Sequence, residues 1–294
     1  MYNSDRLKRI DDETFSLRIS KDKDFRILQL TDLHLGFGMI SRKKNKLALE
    51  AHIPYSLVFG NHDCEMGSTC NREELADIYE KAKYSIFTKG RKELTGVGNF
   101  LINLVDDNGN ILLPMVMLDS NMYGDGGWFF SGFDCIHDDQ VEWCMGRLDE
   151  LKQRTPDIRA MAFFHMPPRE FKEAYEKMKL GDKSVIYQHG SIAEKNEHFG
   201  ISKFDGTFFR RAVENGVIKW IFCGHDHMNT LSLIYQGIQM TYGMSIDYLG
   251  YKDIKKSYIQ RGGTLITRKP CGDVEIKMVP LGSVVSTRVR GVKG

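Results

Sequence analysis

Residues 218–227 read Ile-Lys-Trp-Ile-Phe-Cys-Gly-His-Asp-His. An apolar run of the kind that forms a buried strand leads through Cys223 into Gly224. His225 and His227 then stand two residues apart, on one side of the chain if it stays extended. Two imidazoles aimed at one point mean either a metal or a coincidence at the surface. Three other stretches bear on the choice. The run 27–30 leads into Thr31-Asp32-Leu33-His34, the run 56–59 into Gly60-Asn61-His62-Asp63, and the run 161–164 into His165. Each places His, Asp or Asn where a strand ends, and open α/β sheets keep their sites at the carboxyl ends of strands.

Around these four points the chain reads as an α/β protein. Residues 14–19 and 25–30 are strand-like runs about the polar turn 20–24, which predicts a hairpin. A short helix is expected over 42–51, after Ser41 and before Ile53-Pro54, because the residue preceding a proline is pushed out of helical geometry. Asn71 with Glu74 three residues on has the form of a capping box and predicts a helix to about Lys83. The runs 100–105 and 111–118 flank Asp106-Asp107-Asn108-Gly109-Asn110, a hairpin signal. Val141, Trp143, Cys144, Leu148 and Leu151 recur near the helical period after Asp138. A further helix over 208–214 should close at Asn215-Gly216. Strands are expected over 159–164, 217–223, 230–235, 238–242, 263–267 and 274–279. The segment 181–206 is long, polar and without strand or helix signals. It reads as a lid-type loop and holds His189, Asn196 and His198.

Composition sets outer bounds. The chain has 294 residues, a net charge of +2 and no run of 18 apolar residues. That charge gives no footprint for nucleic acid or an anionic membrane, and no membrane span is expected. The polar start, without an apolar signal core, points to the cytoplasm. Six irregularly spaced cysteines in a reducing compartment read as free thiols.

Taken in order, Asp32-x-His34, Gly60-Asn61-His62-Asp63, His165 and Gly224-His225-x-His227 resemble the calcineurin-like metallophosphoesterases. In those proteins D-x-H, G-D, G-N-H-[DE], H and G-H-x-H follow one another. The likeness runs from about Arg26 to Thr230. The His165-Met166-Pro167 context and the long loop after it resemble a purple-acid-phosphatase-related branch of microbes and fungi. The resemblance implies one domain over 1–294, with its core at about 24–280. The implied fold is a four-layer α-β-β-α sandwich of two mixed sheets flanked by helices. It also implies hydrolysis of a phosphate ester, of a small molecule or a phosphoprotein, by hydroxide held at two divalent cations of Mn, Fe or Zn. Asp32, His34 and His227 would hold one cation, and Asn61, His165 and His225 the other. His62 would protonate the leaving group, with Asp63 a candidate to orient it. A phosphomonoesterase is the first reading and a phosphodiesterase or nuclease the second.

One element of the pattern is missing. The G-D motif, whose carboxylate bridges the two metals, should lie between His34 and Gly60, and that interval holds no Asp and only Glu50. It also lacks roughly forty residues of helix and strand that the resemblance calls for, which marks a deletion after Glu50. The six candidate ligands include one carboxylate, Asp32, against two divalent cations, and a buried cation pair so poorly neutralised is costly. The chain as written is therefore expected to bind metal weakly, with one ion at Asp32, His34 and His227, and to turn over slowly. A degenerate, non-catalytic form is the rival. Asp119, at another strand end, is a candidate to compensate. Tyr123, Trp128, Phe129 and Phe130 form an aromatic loop that either walls the substrate or covers the core.

Overall fold

The computed structural model describes residues 6–33, 53–64, 68, 70–124, 132–247 and 261–283. Among these, twelve strands form two sheets. The larger runs β1 (Leu7–Asp11), β2 (Thr14–Arg18), β4 (Phe100–Val105), β5 (Ile111–Met117), β6 (Ala160–Phe163), β8 (Ile218–Cys223), β10 (Ile238–Tyr242), β9 (Ser232–Tyr235) and β7 (Val185–His189). Within it β5, β6, β8 and β10 are successive parallel neighbours. The smaller sheet is β12 (Val274–Pro280), β11 (Gly262–Arg268) and β3 (Phe25–Gln29), antiparallel throughout.

Two apolar layers hold this together, and the sequence periods account for both. Three helices, α2 (Asp138–Arg154), α3 (Arg169–Lys179) and α4 (Phe208–Asn215), lay Val141, Leu148, Phe171 and Phe209 against one face of the large sheet. The other face sends Ile102, Met115, Phe163 and Phe222 to meet Ile27, Ile266 and Ile276 of the small sheet. Both faces of the large sheet are thus covered, which is why β4, β6 and β8 read as largely apolar runs, broken only by Asn103 and Lys219, rather than alternating ones. The α1 helix (Arg72–Lys81) sits against this second layer through Ala76, and Phe59 is buried there beside it. The chain is an α/β sandwich of two sheets, the class expected from the sequence. The expected helix over 42–51 lies outside the described residues, as does the tail beyond 283.

Several expectations hold in detail. Asn71 caps α1 with the reciprocal Glu74 bond. The β4–β5 hairpin closes on Asp106, whose carboxylate accepts from the backbone of Asn108 and Asn110. Gly216, in left-handed geometry, ends α4. None of the six cysteines is in a disulfide.

Others are corrected. β2 and β3 are strands but not a hairpin. β2 pairs in parallel with β4, and β3 pairs antiparallel with β11, so the turn between β2 and β3 crosses from one sheet to the other. Burial on both faces of β4 outweighs the local turn signal. Residues 56–59 form no strand. The stretch runs beside residues 84–86, held by Tyr55 N–H to the Tyr84 carbonyl and Ile86 N–H to the Tyr55 carbonyl. The segment 181–206 is not structureless, since β7 pairs with β9 at the sheet edge. β1, with mostly exposed charged residues, carried no strand period in the sequence.

Candidate functional site

The parallel order of β5, β6, β8 and β10 opens their carboxyl ends on one edge. Asp119 follows β5, His165 follows β6, His225 and His227 follow β8, and Asp247 follows β10. The small sheet delivers Asp32 to the same place. Thr31 forms a parallel bridge with Ser245, and its hydroxyl donates to the Gly243 carbonyl. A Cβ on Gly224 would stand 3.0 Å from Thr31 Cβ, so glycine there lets the two sheets approach.

Three side chains meet closely. Asn61 Oδ1 lies 2.9 Å from His165 Nε2 and 3.1 Å from His225 Nδ1, and the two ring nitrogens are 3.2 Å apart. Donors bound about 2.1 Å from a cation at right angles would be spaced about 3.0 Å, so the triangle has the dimensions of a ligand set. Its supports are specific. Asn61 Nδ2 donates to the Tyr123 hydroxyl at 3.2 Å, which turns the amide oxygen toward the histidines. A Cβ on Gly60 would stand 3.0 Å from the His165 ring. Phe133 packs edge-on against His225, with ring centroids 4.3 Å apart. Burial first, then the neighbouring His165, hold His225 well below the usual imidazole range, so it is neutral at neutral pH.

Asp32 and His227 form a second group. The Asp32 side chain is 1% exposed. Its Oδ1 accepts the His225 N–H at 3.0 Å and stands 3.7 Å from His227 Nε2. Its Oδ2 is buried without a hydrogen-bond partner. A buried carboxylate oxygen in that state is costly unless a cation or proton meets it. His227 Nδ1 bonds Asp247 Oδ2 at 2.9 Å. Burial pulls the His227 pKa down, but the Asp247 bond and the charges of Asp32 and Asp247 outweigh it and the net shift is upward. Asp32 and His225 both hold positive φ, 55° and 75°, the kind of strain that gathers at functional sites. His34, expected beside Asp32, lies outside the described residues.

The remaining expected residues fall in different places. His62 is exposed in the turn after Asn61. Asp63 Oδ2 accepts the Gly60 N–H at 2.6 Å and so braces the turn. Asp119 does not reach the centre as a spare carboxylate. It is fully buried and accepts from Arg72, Val97 N–H and Asn121 N–H. Tyr123 borders the triad, whereas Trp128, Phe129 and Phe130 lie outside the described residues. The segment expected as a lid is strapped to the histidine motif. Asp226 accepts the Gly200 N–H with both carboxylate oxygens at 3.0 Å, and Asn229 Oδ1 accepts the N–H groups of Ala193 and Glu194. Burial raises the Asp226 pKa to about 6, against the lowering effect of the bonds from Tyr242 and Gly200.

Two contributors had no motif in the sequence. Asp247 lies between the expected strands 238–242 and 263–267, and its one signal was position, shortly past a strand that proved parallel to β8. Arg72 was visible only as a helix residue. Among the described residues no three His, Cys, Asp or Glu side chains form a metal-ligating cluster. The triangle draws its third donor from an amide. Its donor set is imidazole and amide, and the Asp32 group adds carboxylate, a mixture suited to Mn, Fe or Zn rather than to Ca.

The model of the calcineurin-like phosphoesterases matches residues 38–229, more than half of the chain. The chain belongs to the calcineurin-like phosphoesterase family. The matched span begins after Asp32 and His34 and takes in Asn61, His62, His165, His225 and His227. Among curated relatives, "Probable inactive purple acid phosphatase 28" of Arabidopsis thaliana is 26% identical over 330 residues, covering 85% of this chain and 77% of its own. "Probable inactive purple acid phosphatase 14" of the same plant is 23% identical over 310 residues, 81% of this chain and 74% of its own. Phosphatase DCR2 of Saccharomyces cerevisiae is 31% identical over 192 residues, 62% of this chain but only 31% of the yeast protein. The first of these comparisons runs over more positions than the 294 residues of the chain. That relative therefore has residues inside the aligned span to which nothing here corresponds. No helix among the described residues is long and apolar enough to cross a membrane.

Proposed function

We propose that this chain hydrolyses phosphate monoesters, of a small molecule or a phosphoprotein, at a divalent-cation centre within one catalytic domain. The observation that carries the reading is the convergence of Asn61 Oδ1, His165 Nε2 and His225 Nδ1 within 3.2 Å at the strand ends. These three would hold one cation, and Asp32 with His227, joined by His34, a second. A cation there supplies Lewis-acid stabilisation of the phosphoryl oxygens and activates water. Mn, Fe or Zn fits the donors. The chain's own residues do the rest. His225 presents a neutral ring nitrogen, His62 gives a proton to the leaving alkoxide, and Tyr123 and Phe133 wall one side of the triad.

The second reading, a weakly metal-binding and non-catalytic form, rests on the missing carboxylate between His34 and Gly60 and on Asp119 being engaged elsewhere. The extra residues of the Arabidopsis relative, itself named inactive, support a lost segment. One assay separates the readings. Purified protein with Mn²⁺ is given an aryl phosphate and, in parallel, a bis-aryl phosphate. Faster release from the monoester, lost in His62→Ala, is the expected result. A preference for the diester would move the assignment to a phosphodiesterase, and no release above the His62→Ala background from either would leave the non-catalytic form.

A further inference from the structure

We propose that Asp247 is the positioning residue of this centre. It fixes the tautomer of His227 and supplies, one imidazole away, a second buried negative charge to a ligand set with a single carboxylate. The inference rests on the cation reading above. It comes from a juxtaposition rather than a motif: Asp247 Oδ2 lies 2.9 Å from His227 Nδ1, and both residues are buried.

The geometry gives the two ring nitrogens separate tasks. A carboxylate acceptor at Nδ1 keeps the proton there, so the lone pair of neutral His227 sits on Nε2. Nε2 in turn is the nitrogen that faces Asp32, 3.7 Å from Oδ1, on the carboxylate whose Oδ2 has no hydrogen-bond partner. The pair therefore turns a lone pair toward the Asp32 carboxylate, whose Oδ2 is left for a cation to satisfy. A hydrogen-bonded carboxylate behind a ligating imidazole also raises its basicity.

The same segment sets the position of Asp32. After β10, Gly243 N–H donates to the Cys223 carbonyl, and Ile246 N–H to the Thr31 carbonyl. Asp247 N–H is held on Ser245 Oγ at 3.1 Å, and Ser245 bridges Thr31. One short stretch is thus pinned to the end of β8, which carries His227, and to the residue before Asp32. Asp247 is placed where its charge acts on both. The candidate ligands hold one carboxylate, Asp32, against the cations, and Asp247 adds a second negative charge without being a ligand.

The test uses the full chain and two measurements. The first is the protonation pattern of the His227 ring in metal-free protein at pH 8.5, by nitrogen-15 NMR. The expected result is the Nδ1-protonated tautomer in the wild type, lost in Asp247→Ala. A wild-type ring protonated at Nε2 would overturn the proposal without any variant having to fold. The second is Mn²⁺ affinity by calorimetry. Asp247→Asn, which keeps an acceptor but removes the charge, should weaken binding about 10- to 100-fold, and Asp247→Ala should weaken it further. In a His227→Ala background the Asp247 changes should add less than about twofold. Unchanged affinity in Asp247→Asn, or an equal loss with His227 already gone, would sink the positioning role. A wild type that takes up no Mn²⁺ would instead refute the cation reading, with the tautomer measurement still deciding the Asp247–His227 relationship.

Discussion

Arg72, in the first turn of α1, places Nη1 2.9 and 2.7 Å from the two oxygens of the fully buried Asp119. Its Nη2 donates to the Gly60 carbonyl at 2.9 Å. One guanidinium therefore ties the end of β5 to the turn that carries Asn61 and His62. Burial raises the Asp119 pKa, with Arg72 pulling against it. Removing the arginine leaves a buried carboxylate without its counter-charge, a change that costs about 3–5 kcal/mol. Arg72→Met should lose that much in urea unfolding, and Arg72→Lys should recover only part, since an ammonium cannot make the fork. A loss below about 1 kcal/mol would mean that the pair is no more than a surface contact.

Asp32 should show the opposite sign. Its Oδ2 is buried without a hydrogen-bond partner, so the carboxylate weakens the metal-free fold and is retained for what it binds. Asn at this position still accepts the His225 N–H and tolerates the positive φ. Asp32→Asn is expected to melt at the same or a higher temperature than the wild type without metal. Its melting point should no longer rise on adding Mn²⁺. A variant less stable than the wild type when metal-free would show that Asp32 is held by the fold and not by a cation.

The limits of the sequence follow from what each feature depends on. α1, α2, α4 and the β4–β5 hairpin rest on local chemistry, the Asn71 cap, the 3.6 period, Gly216 and the Asp106 turn, and all four were legible. So was the placing of His165, His225 and His227 at strand ends, because an apolar run followed by His is a local pattern. Which strands pair is not local. Residues 14–30 looked like a hairpin because nothing in them says that β4 and β11 are better partners. Residues 56–59 looked like a strand by composition, yet no ladder forms beside them. Asp247 became part of the site only when β10 was seen beside β8. Asp119 illustrates the reverse, a carboxylate at a promising strand end whose charge is already matched by a helix forty-seven residues away in sequence.

Gly200 makes the strap testable by size alone. Its backbone is not in the glycine-favouring region, but a Cβ there would lie 2.4 Å from the His225 ring. The Asp226 bonds hold the loop against that ring. Gly200→Ala must push either the loop or the imidazole aside. Mn²⁺ affinity should fall by roughly tenfold or more, with near-native circular dichroism. An unaltered affinity would show that the loop gives way freely and does not set the His225 position.

His189 provides a pH test away from the centre. It ends β7, opposite Ser232, and both ring nitrogens are buried without a hydrogen-bond partner. Burial holds its pKa below the ordinary 6.5. The sign follows from proton counts. Below the unfolded pKa the unfolded chain binds a proton that the folded ring resists, so stability rises with pH through this window. The full contribution is present above 6.5 and is lost as pH falls toward the lower folded value. His189→Leu removes the titration and keeps the apolar packing. The variant should gain stability over the wild type at pH 5 and differ little at pH 8, as read from urea midpoints at the two values. Equal differences at both would place the acid sensitivity in another group, and a variant less stable at pH 5 would mean that His189 is protonated and paired in the fold.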